Sequence, residues 1–428
     1  MILSTSLIRS ICGDLIVADS ITREKTYDWV DIVGIPQRPA TSGKPRLFFA
    51  SYSGTSGWTE GFDRRPYAEK VCRENGWDLI SDNPICPENS GIQVVSLEKT
   101  ALRLYGYFRK IHKPIVVGVT GSVGKTTTLS LFEQVVAASG KKVVRFYSKR
   151  LTPLSVMCHF LNRVNEDTEI IVMEYSAYHY DHVFQLAQLL PSEIVFVINI
   201  YDTHINPGMF KDRTEILRSK MRIKTDWTKK AYVNSSAIRL VSPDELSGWE
   251  VFTPQIPQVA PDYLPPTKRT AEMFTVAKLV SDELNISPEN VENTLKTFVP
   301  EESRIVSVYA GGKKIFFHGE TSGGSRLWSW LETYDGSVPY MFVESIDFAS
   351  EDESGFRNLL EQVFRSNKTF VLDTERNRAR LKVPAHFVAY ENFVGRLKSA
   401  QGYIVYHKAL SVRRKGFDPA LYLQNLFG

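Results

Sequence analysis

The sequence has 428 residues, of which 43% are hydrophobic and 23% are charged, and its formal net charge at pH 7 is +4. A chain of this length exceeds one ordinary core, so two or three domains are expected. The composition is that of a globular protein, and the small net charge without a basic run argues against a nucleic-acid partner.

The cysteine pattern and the hydropathy pattern both bear on the compartment. The cysteines are scattered and lack the spacing of a zinc site, a redox motif or a disulfide framework, which favours a reducing compartment. They are Cys12, Cys72, Cys86 and Cys158. No stretch approaches the ~20 apolar residues of a membrane span. We therefore expect a cytoplasmic protein without a membrane segment.

Residues 1–113 are predicted to form a small α/β domain. The pattern predicts a strand over 45–51, a glycine-bearing loop over 53–61, and helices over 65–75 and 97–111. The His-Lys-Pro sequence that follows ends the last helix, because the residue before a proline is pushed out of the helical region. A second domain is expected to begin there.

The strongest motif follows at residues 115–128, where an apolar run leads into a glycine-rich turn and then a helix. Ile115 to Val119 is predicted to be a buried parallel strand, and residues 126–138 have helical periodicity. Backbone N–H groups in such a turn form an anion site at a helix N-terminus. Val119 stands where the strict nucleotide-loop pattern has glycine, so the motif is a variant.

This loop is expected to bind the phosphates of a nucleotide, the alternative being a purely structural turn. Lys125 would contact the terminal phosphates and the Thr126 hydroxyl would bind Mg²⁺, as these residues do in nucleotide loops. The residues predicted to bind the nucleotide are Gly121, Ser122, Val123, Gly124, Lys125, Thr126 and Thr127.

The following residues alternate between strand and helix, which predicts a parallel sheet with helices on both faces. The predicted elements are a strand over 142–146, a helix over 153–164, a strand over 169–175, a helix over 181–190 and a strand over 193–200. Ligands bind beyond the carboxyl ends of such strands. Glu174 and His204 follow strands at that edge, so Glu174 is positioned to hold Mg²⁺ opposite Thr126. The alternatives are an exposed strand-end glutamate and a solvated loop histidine.

Several segments occur in the order and approximate spacing of the Mur ligases, ATP-dependent enzymes that add amino acids to the peptidoglycan precursor. They are Thr120-Gly-Ser-Val-Gly-Lys-Thr-Thr127, Met173-Glu-Tyr-Ser176, Asn199-Ile-Tyr-Asp-Thr-His204, Lys220 and Tyr232-Val-Asn234. The chain most resembles the type that adds D-alanyl-D-alanine to the UDP-N-acetylmuramoyl tripeptide. The resemblance covers roughly residues 1–330 and thins beyond.

The resemblance implies an α/β protein with three domains. Residues 1–113 would bind the substrate, residues 114–302 would form the P-loop domain that binds ATP, and residues 303–428 would form a short C-terminal nucleotide-fold domain that brings the incoming amine.

The resemblance also implies roles for individual residues. Thr126 and Glu174 would hold Mg²⁺, and His204 would hold a second metal ion. Lys220 falls where the family places a lysine that is often carbamylated to hold that second ion. The alternative is a solvated lysine on the helix predicted over 213–223. Lys220, His204 and Lys125 are thus the expected catalytic residues, and Arg304 near the linker is expected to contact the nucleotide.

The chain departs from the family at its substrate surfaces. Pro36-Gln-Arg38 replaces the Asp-Ser-Arg that binds the uridine-linked substrate, and the helix predicted over 267–284 has Glu272 but no asparagine for adenine. His318-Gly-Glu-Thr-Ser-Gly-Gly-Ser325 replaces the linker motif, and Tyr406 to Arg413 only loosely matches the C-terminal lysine, serine and arginine motif. The substrate surfaces are therefore expected to differ from those of the family.

The sequence thus predicts an ATP-dependent, ADP-forming carboxylate–amine ligase that works through an acyl phosphate on a non-standard acid. Its partners would be a small carboxylic acid and an amine, either an amino acid or a peptide, and it would be a monomer or small homo-oligomer. The loop residues Trp58, Phe62, Arg64 and Arg65 are predicted to bind an anionic carboxylate without uridine, unless they form a solvated surface.

Three alternative functions are open at this stage. One is a cell-wall ligase that acts on the usual UDP-muramoyl peptide. Another is a P-loop NTPase of a different class, which would have no use for the series Glu174, His204 and Lys220. The third is a catalytically silent binding relative, which would be expected to have lost Lys125 or Thr126.

Overall fold

A computed structural model of the chain describes residues 3–32, 46–50, 65–146, 151–177, 179–202, 205, 209–256, 264–298, 306–320, 331–333, 336–346, 368–381, 386–410 and 417–428. These residues form a mixed α/β structure with three large sheets that follow one another along the chain. Several residues with predicted roles lie outside the described ranges. They are Pro36, Gln37, Arg38, Trp58, Phe62, Arg64, His204 and Arg304.

The N-terminal part contains a five-stranded sheet of order β2-β7-β6-β5-β4, parallel except for β2, and a separate pair formed by β1 and β3. The strands are β1 Leu3–Ser4, β2 Ile16–Asp19, β3 Thr26–Tyr27, β4 Trp29–Asp31, β5 Arg46–Phe49, β6 Asp78–Ser81 and β7 Gly91–Val94. The helices are α1 Thr5–Cys12, α2 Arg65–Asn75 and α3 Leu97–Ile111. Both predicted helices are confirmed, and α3 ends three residues before Pro114.

The central part contains a six-stranded sheet of order β13-β12-β11-β8-β10-β9, and every strand pair in it is parallel, as predicted. The strands are β8 Ile115–Thr120, β9 Val143–Phe146, β10 Ile170–Glu174, β11 Ile194–Val197, β12 Lys230–Asn234 and β13 Glu250–Phe252. The helices are α4 Lys125–Ala138, α5 Pro153–Arg163, α6 His182–Leu189, α7 Arg213–Met221, α8 Lys268–Glu283 and α9 Pro288–Thr297.

The C-terminal part contains a second six-stranded sheet, of order β14-β15-β19-β16-β17-β18, in which only β14 is antiparallel. The strands are β14 Val306–Ala310, β15 Lys313–Glu320, β16 Tyr340–Ser345, β17 Thr369–Leu372, β18 Phe387–Val388 and β19 Ile404–Leu410. The helices are α10 Glu375–Arg380, α11 Tyr390–Ser399 and α12 Pro419–Phe427.

The N-terminal and central parts share one apolar core. Tyr105 of α3 packs edge-on against Phe160 of α5, with ring centroids 5.1 Å apart. The side chain of Asn162 donates to the Val30 carbonyl at 2.8 Å and accepts from the Val30 N–H at 2.7 Å. This two-way bond joins α5 to β4 and fixes the N-terminal sheet against the central one.

Within the described part of the chain, no helix combines the length and the apolar character that crossing a membrane requires. Each of the four cysteines is free; Cys86 is partly exposed and the other three are buried. The absence of disulfides agrees with the scattered positions of the cysteines in the sequence.

Candidate nucleotide site

The carboxyl ends of three neighbouring strands place the candidate residues together. In the parallel pairing, Glu174 of β10 lies beside Val119 of β8, and Val197 of β11 lies beside Thr120. The loop that follows β8 is therefore flanked by Glu174 on one side and by the residues after β11 on the other. This is the edge at which open α/β sheets bind ligands.

The loop enters helix α4 through a glycine whose backbone conformation and close packing disfavour any side chain. Gly124 has φ +80°, in the left-handed region, and a Cβ placed there would lie 1.3 Å from Cζ of Arg269. Gly121 is also tightly packed, since a Cβ would lie 2.5 Å from Cγ1 of Ile198. No side chain caps the N-terminus of α4. Its first-turn N–H groups and the positive end of the helix dipole are suited to an anion.

Lys125 lies over this loop. Its Nζ donates to the carbonyl of Gly121 at 2.9 Å and to that of Ser122 at 3.4 Å, and it lies 3.9 Å from Oε1 of Glu174. The ammonium group is thus held between the loop and the neighbouring strand end, where it adds positive charge to the anion site. Thr127, also predicted to bind the nucleotide, is buried in the first turn of α4.

The oxygen atoms around Glu174 fit a magnesium ion. Thr126 Oγ1 donates to Oε2 of Glu174 at 2.8 Å, and Ser176 Oγ donates to Oε1 at 3.1 Å. Only 6% of Glu174 is exposed, so the alternative of an exposed strand-end glutamate is wrong. Hydroxyl and carboxylate oxygens suit Mg²⁺, which keeps water and takes phosphate oxygens as its other ligands. Ser176 belongs to the segment Met173–Ser176 that carries the family resemblance, but the sequence does not predict its contact with the carboxylate.

Among the described residues, no group of three or more histidine, cysteine, aspartate and glutamate side chains is arranged so that it could hold a metal ion. His204 lies outside the described residues, so its predicted place beside the second ion stays a prediction.

Lys220 of α7 is buried close to this centre. It is 3% exposed, so the alternative of a solvated helix lysine is wrong. Burial lowers the pKa of its ammonium group well below the usual value, the positive charge of Lys125 lowers that pKa further, and the negative charge of Glu174 opposes both effects. The structure therefore brings Lys220 to the same edge of the sheet as Lys125 and Glu174.

Two loop residues differ from the prediction that the loop N–H groups face a phosphate. The N–H of Ser122 donates to the carbonyl of Asn199 at 3.0 Å, and the N–H of Val123 donates to Oδ1 of Asn199 at 3.0 Å. The Ser122 hydroxyl also accepts from the N–H of Tyr201 at 2.9 Å. The segment after β11 therefore takes up these two N–H groups, which leaves the N–H groups at the start of α4 as the ones suited to an anion.

Asn199 and Asn234 belong to segments that carry the family resemblance, whereas the sequence predicts no role for Arg269 and Glu272. The structure places all four behind the loop, where Asn199 and Asn234 both donate to the buried carboxylate of Glu272. The signal in the sequence is a pair of opposite charges, Arg269 and Glu272, three positions apart on the side of α8 that also carries Met273, Val276 and Val280.

Comparison with known proteins agrees with this geometry. Residues 119–239 match the Mur ligase middle domain. Over 111 residues the chain is 30% identical to the UDP-N-acetylmuramoyl-tripeptide–D-alanyl-D-alanine ligase of Mycobacterium bovis, an alignment that covers 25% of this chain and 20% of that relative. The chain thus matches about a fifth of the length of this curated relative.

The fold likeness extends further than the sequence likeness. MurF from Acinetobacter baumannii superposes with a TM-score of 0.69 at 13% identity, covering 96% of both chains. The MurF ligase from Thermotoga maritima in complex with ADP superposes with a TM-score of 0.63 at 15% identity, covering 85% of this chain and 91% of that one. The C-terminal part, where the sequence resemblance thins, therefore keeps the fold. The chain therefore contains a segment that matches the Mur ligase middle domain, and its overall fold is that of the MurF structures.

Proposed function

We propose that this protein is an ATP-dependent, ADP-forming ligase that joins a carboxylic acid to an amine through an acyl phosphate. The observation that carries the proposal is the convergence of Lys125, Thr126 and Glu174 at the glycine turn before α4. Burial of Lys220 at the same edge supports the ligase over a P-loop NTPase of another class, which would have no use for a buried lysine there.

The chemistry follows from the weak electrophilicity of a carboxylate. A carboxylate oxygen of the acid attacks the γ-phosphorus of ATP, the bond from that phosphorus to ADP breaks, and an acyl phosphate forms. The amine nitrogen then attacks the acyl carbon, orthophosphate leaves and the nitrogen loses a proton. The products are an amide, ADP and orthophosphate.

In these steps, the residues of the site mainly position the reacting groups and neutralise their charge. Lys125 and the N–H groups of the first turn of α4 would offset the negative charge on the transferring phosphoryl group. Thr126 and Glu174 would hold Mg²⁺, which when bound neutralises phosphate charge and acts as a Lewis acid. Arg304 would contact the nucleotide from the interdomain linker.

A second metal site would involve His204 and Lys220. Lys220 is suited to this place because its lowered pKa favours the neutral amine, the form that can be carbamylated and so gain oxygen ligands. We propose that Lys220 acts in metal binding next to Glu174, and that His204 supplies a nitrogen ligand to the same ion.

The proposed division of labour follows the three sheets. Residues 1–113 would bind the acid, residues 114–302 would bind ATP and Mg²⁺, and residues 303–428 would present the amine. Since Asp-Ser-Arg is absent at residues 36–38, we propose an anionic acid without a uridine group as the substrate. The protein would work as a monomer or a small homo-oligomer in the cytoplasm.

The proposal is tested by an ADP-release screen of the purified protein against candidate acids and amines, with mass spectrometry of the products. We expect ADP release that requires both an acid and an amine, together with the matching amide. ADP release that needs neither co-substrate would instead favour an NTPase of another class.

A cell-wall ligase is the second candidate function, because the curated relative above acts on a UDP-N-acetylmuramoyl tripeptide. Calorimetry with that tripeptide separates the two. Binding at micromolar affinity, about −8 kcal/mol, followed by ligation to D-alanyl-D-alanine, would show ordinary cell-wall synthesis. Lack of binding together with activity on another acid would support the non-standard substrate.

A further inference from the structure

The first turn of α8 carries an arginine that fills the rear of the phosphate loop. Arg269 is among the largest fully buried side chains of the described residues, with 1% exposure. Its guanidinium occupies the space behind Gly124, where even a methyl group would lie 1.3 Å from Cζ. Its Nη1 donates to the carbonyl of Val123 at 3.2 Å. The arginine therefore supports two consecutive residues of the loop.

Glu272 lies one turn further along α8 and connects this arginine to two asparagines. Its Oε2 accepts from Nδ2 of Asn199 at 2.8 Å and lies 3.7 Å from Nη1 of Arg269. Its Oε1 accepts from Nδ2 of Asn234 at 3.2 Å. Asn234 ends β12 and also donates to the carbonyl of Ile198 at 2.8 Å. The carboxylate thus joins α8 to the ends of two strands.

Asn199, which Glu272 holds in place, is itself bonded to the middle of the loop. Its Oδ1 accepts from the N–H of Val123 at 3.0 Å, and its Nδ2 donates to the Val123 carbonyl at 3.1 Å. Both backbone groups of Val123 are therefore held by side chains that Glu272 orients. The peptide plane that precedes Gly124 and the start of α4 is fixed from behind.

Such an arrangement is costly for folding alone. A buried ion pair stabilises a fold little more than a well-packed apolar pair of similar volume, and breaking it leaves a buried charge. The advantage of the buried network is that its hydrogen bonds fix the orientation of a peptide group, which apolar contacts do not do. A phosphate site needs its N–H groups held in place before the ligand arrives.

We propose that Arg269 and Glu272 are positioning residues that hold the phosphate loop in the shape that binds the nucleotide. The inference rests on the proposed function for the presence of a nucleotide at this loop. It adds a buried network on α8 that does not touch the ligand and that sets its affinity through Val123 and Gly124.

The titration of Glu272 gives a second readout. Its burial raises its pKa to about 7, while Arg269, Asn199 and Asn234 lower it and the charge of Glu332 raises it further. The phenol of Tyr201 is the other titratable group that interacts with it. Protonation turns one carboxyl oxygen into a donor and removes the negative charge, so the bonds that Glu272 accepts from the two asparagines become weaker. The hold on Val123 should therefore weaken as the pH falls below about 7.

The test is the dissociation constant of ATP with Mg²⁺, measured by calorimetry on the full chain at pH 7.5 and at pH 6. The variants are Arg269→Met, Glu272→Gln and their double mutant. The matched control is Glu283→Gln, at the far end of the same helix, where the carboxylate accepts from the Tyr232 hydroxyl on β12 but does not touch the loop. Lys125→Ala is the reference for loss of the site, and thermal unfolding checks that each protein is folded.

We expect Arg269→Met and Glu272→Gln each to weaken ATP binding about tenfold or more, the range for losing a hydrogen bond to a charged group. The double mutant should lose less than the sum, because the residues act as one network. Glu283→Gln should bind as the parent does. The parent should lose affinity between pH 7.5 and pH 6 by more than Glu272→Gln does.

The outcomes separate the inference from the function on which it rests. Unchanged affinity in both α8 variants, with binding lost in Lys125→Ala, overturns the inference and leaves the function standing. An equal loss in Glu283→Gln also overturns it, since the effect would then belong to the helix as a whole. If Arg269→Met does not fold, Glu272→Gln and its pH profile decide alone. A parent protein that binds no ATP contradicts the proposed function itself.

Discussion

The two six-stranded sheets carry different sets of side chains at the carboxyl ends of their strands. In the central sheet, Lys125, Thr126 and Glu174 converge on a glycine turn and on a helix N-terminus that no side chain caps. In the C-terminal sheet, Glu344, the last residue but one of β16, accepts from Lys408, Tyr406 and Tyr422. Among the described residues, both edges carry polar side chains; those of the central sheet surround the uncapped start of α4, whereas Glu344 bonds to side chains of its own domain.

The C-terminal edge also pairs two histidines with each other. His318 of β15 and His407 of β19 are buried neighbours whose Nδ1 atoms are 2.9 Å apart. This contact and the bonds of Glu344 all lie within the C-terminal part of the chain. The comparison teaches that a parallel sheet offers an edge for binding, whereas the glycine turn and the uncapped helix are the features that would suit that edge to a phosphate.

The largest effect that separates the two edges is expected from Lys125→Ala. Removing the charge beside the terminal phosphates should lower ATP turnover about a hundredfold or more and leave the fold intact. ADP release measures the turnover, and circular dichroism shows whether the variant is folded. Lys229→Ala is the control, because this exposed lysine pairs with Glu193 at the opposite edge of the same sheet. Near-parental turnover in Lys125→Ala would contradict the assignment of the nucleotide site to this loop.

Replacing Lys220 should separate activity from stability. Its lowered pKa means that below the usual lysine value the unfolded chain binds more protons than the folded one, so stability falls as the pH falls from that value. At pH 7 the buried amine therefore destabilises the fold. Lys220→Met should lose turnover while its free energy of unfolding, measured with urea, stays equal or rises. Loss of stability with full activity would make Lys220 a structural residue.

Glu174→Ala and His204→Ala test the metal side of the central edge. Each should raise the Mg²⁺ concentration needed for half-maximal activity by roughly tenfold or more, the range reported even for outer-shell partners of metal sites. A magnesium titration of ADP release measures this. An unchanged titration in either variant would mean that the replaced residue is not a ligand.

The smallest effect on ATP is expected from Glu344→Gln, at the C-terminal edge. The change replaces a carboxylate that accepts from Lys408 and two tyrosines, so the free energy of unfolding should fall by about 1–3 kcal/mol. Calorimetry should give the parental dissociation constant for ATP. A loss of ATP affinity as large as that of Lys125→Ala would contradict the distinction between the two edges.

The central fold was largely predictable because its signals are local. Apolar runs between residues 115 and 200 alternate with helical patterns, and the glycine turn before α4 has a recognisable composition. Lys125, Thr126 and Glu174 could be placed because strand ends in a parallel sheet meet at one edge.

The buried support behind the loop could not be predicted, because it depends on contacts between residues far apart in the chain. Arg269 lies 146 positions from Val123, and no periodicity indicates that its guanidinium fills the space behind Gly124. The sequence also predicts that Ser122 and Val123 contact a phosphate. Their N–H groups instead donate to Asn199, and the sequence does not show that Asn199 folds back onto the loop.

The central claim is that ATP activates a carboxylate in this site, and isotope transfer tests it most directly. An acid that supports ADP release is labelled with ¹⁸O in its carboxylate and incubated with ATP, Mg²⁺ and the amine. We predict that a labelled oxygen appears in orthophosphate, with ADP and amide formed in equal amounts, because the oxygen that attacks phosphorus leaves with it. Unlabelled orthophosphate, or the formation of AMP and pyrophosphate, would contradict the acyl phosphate and the account built on it.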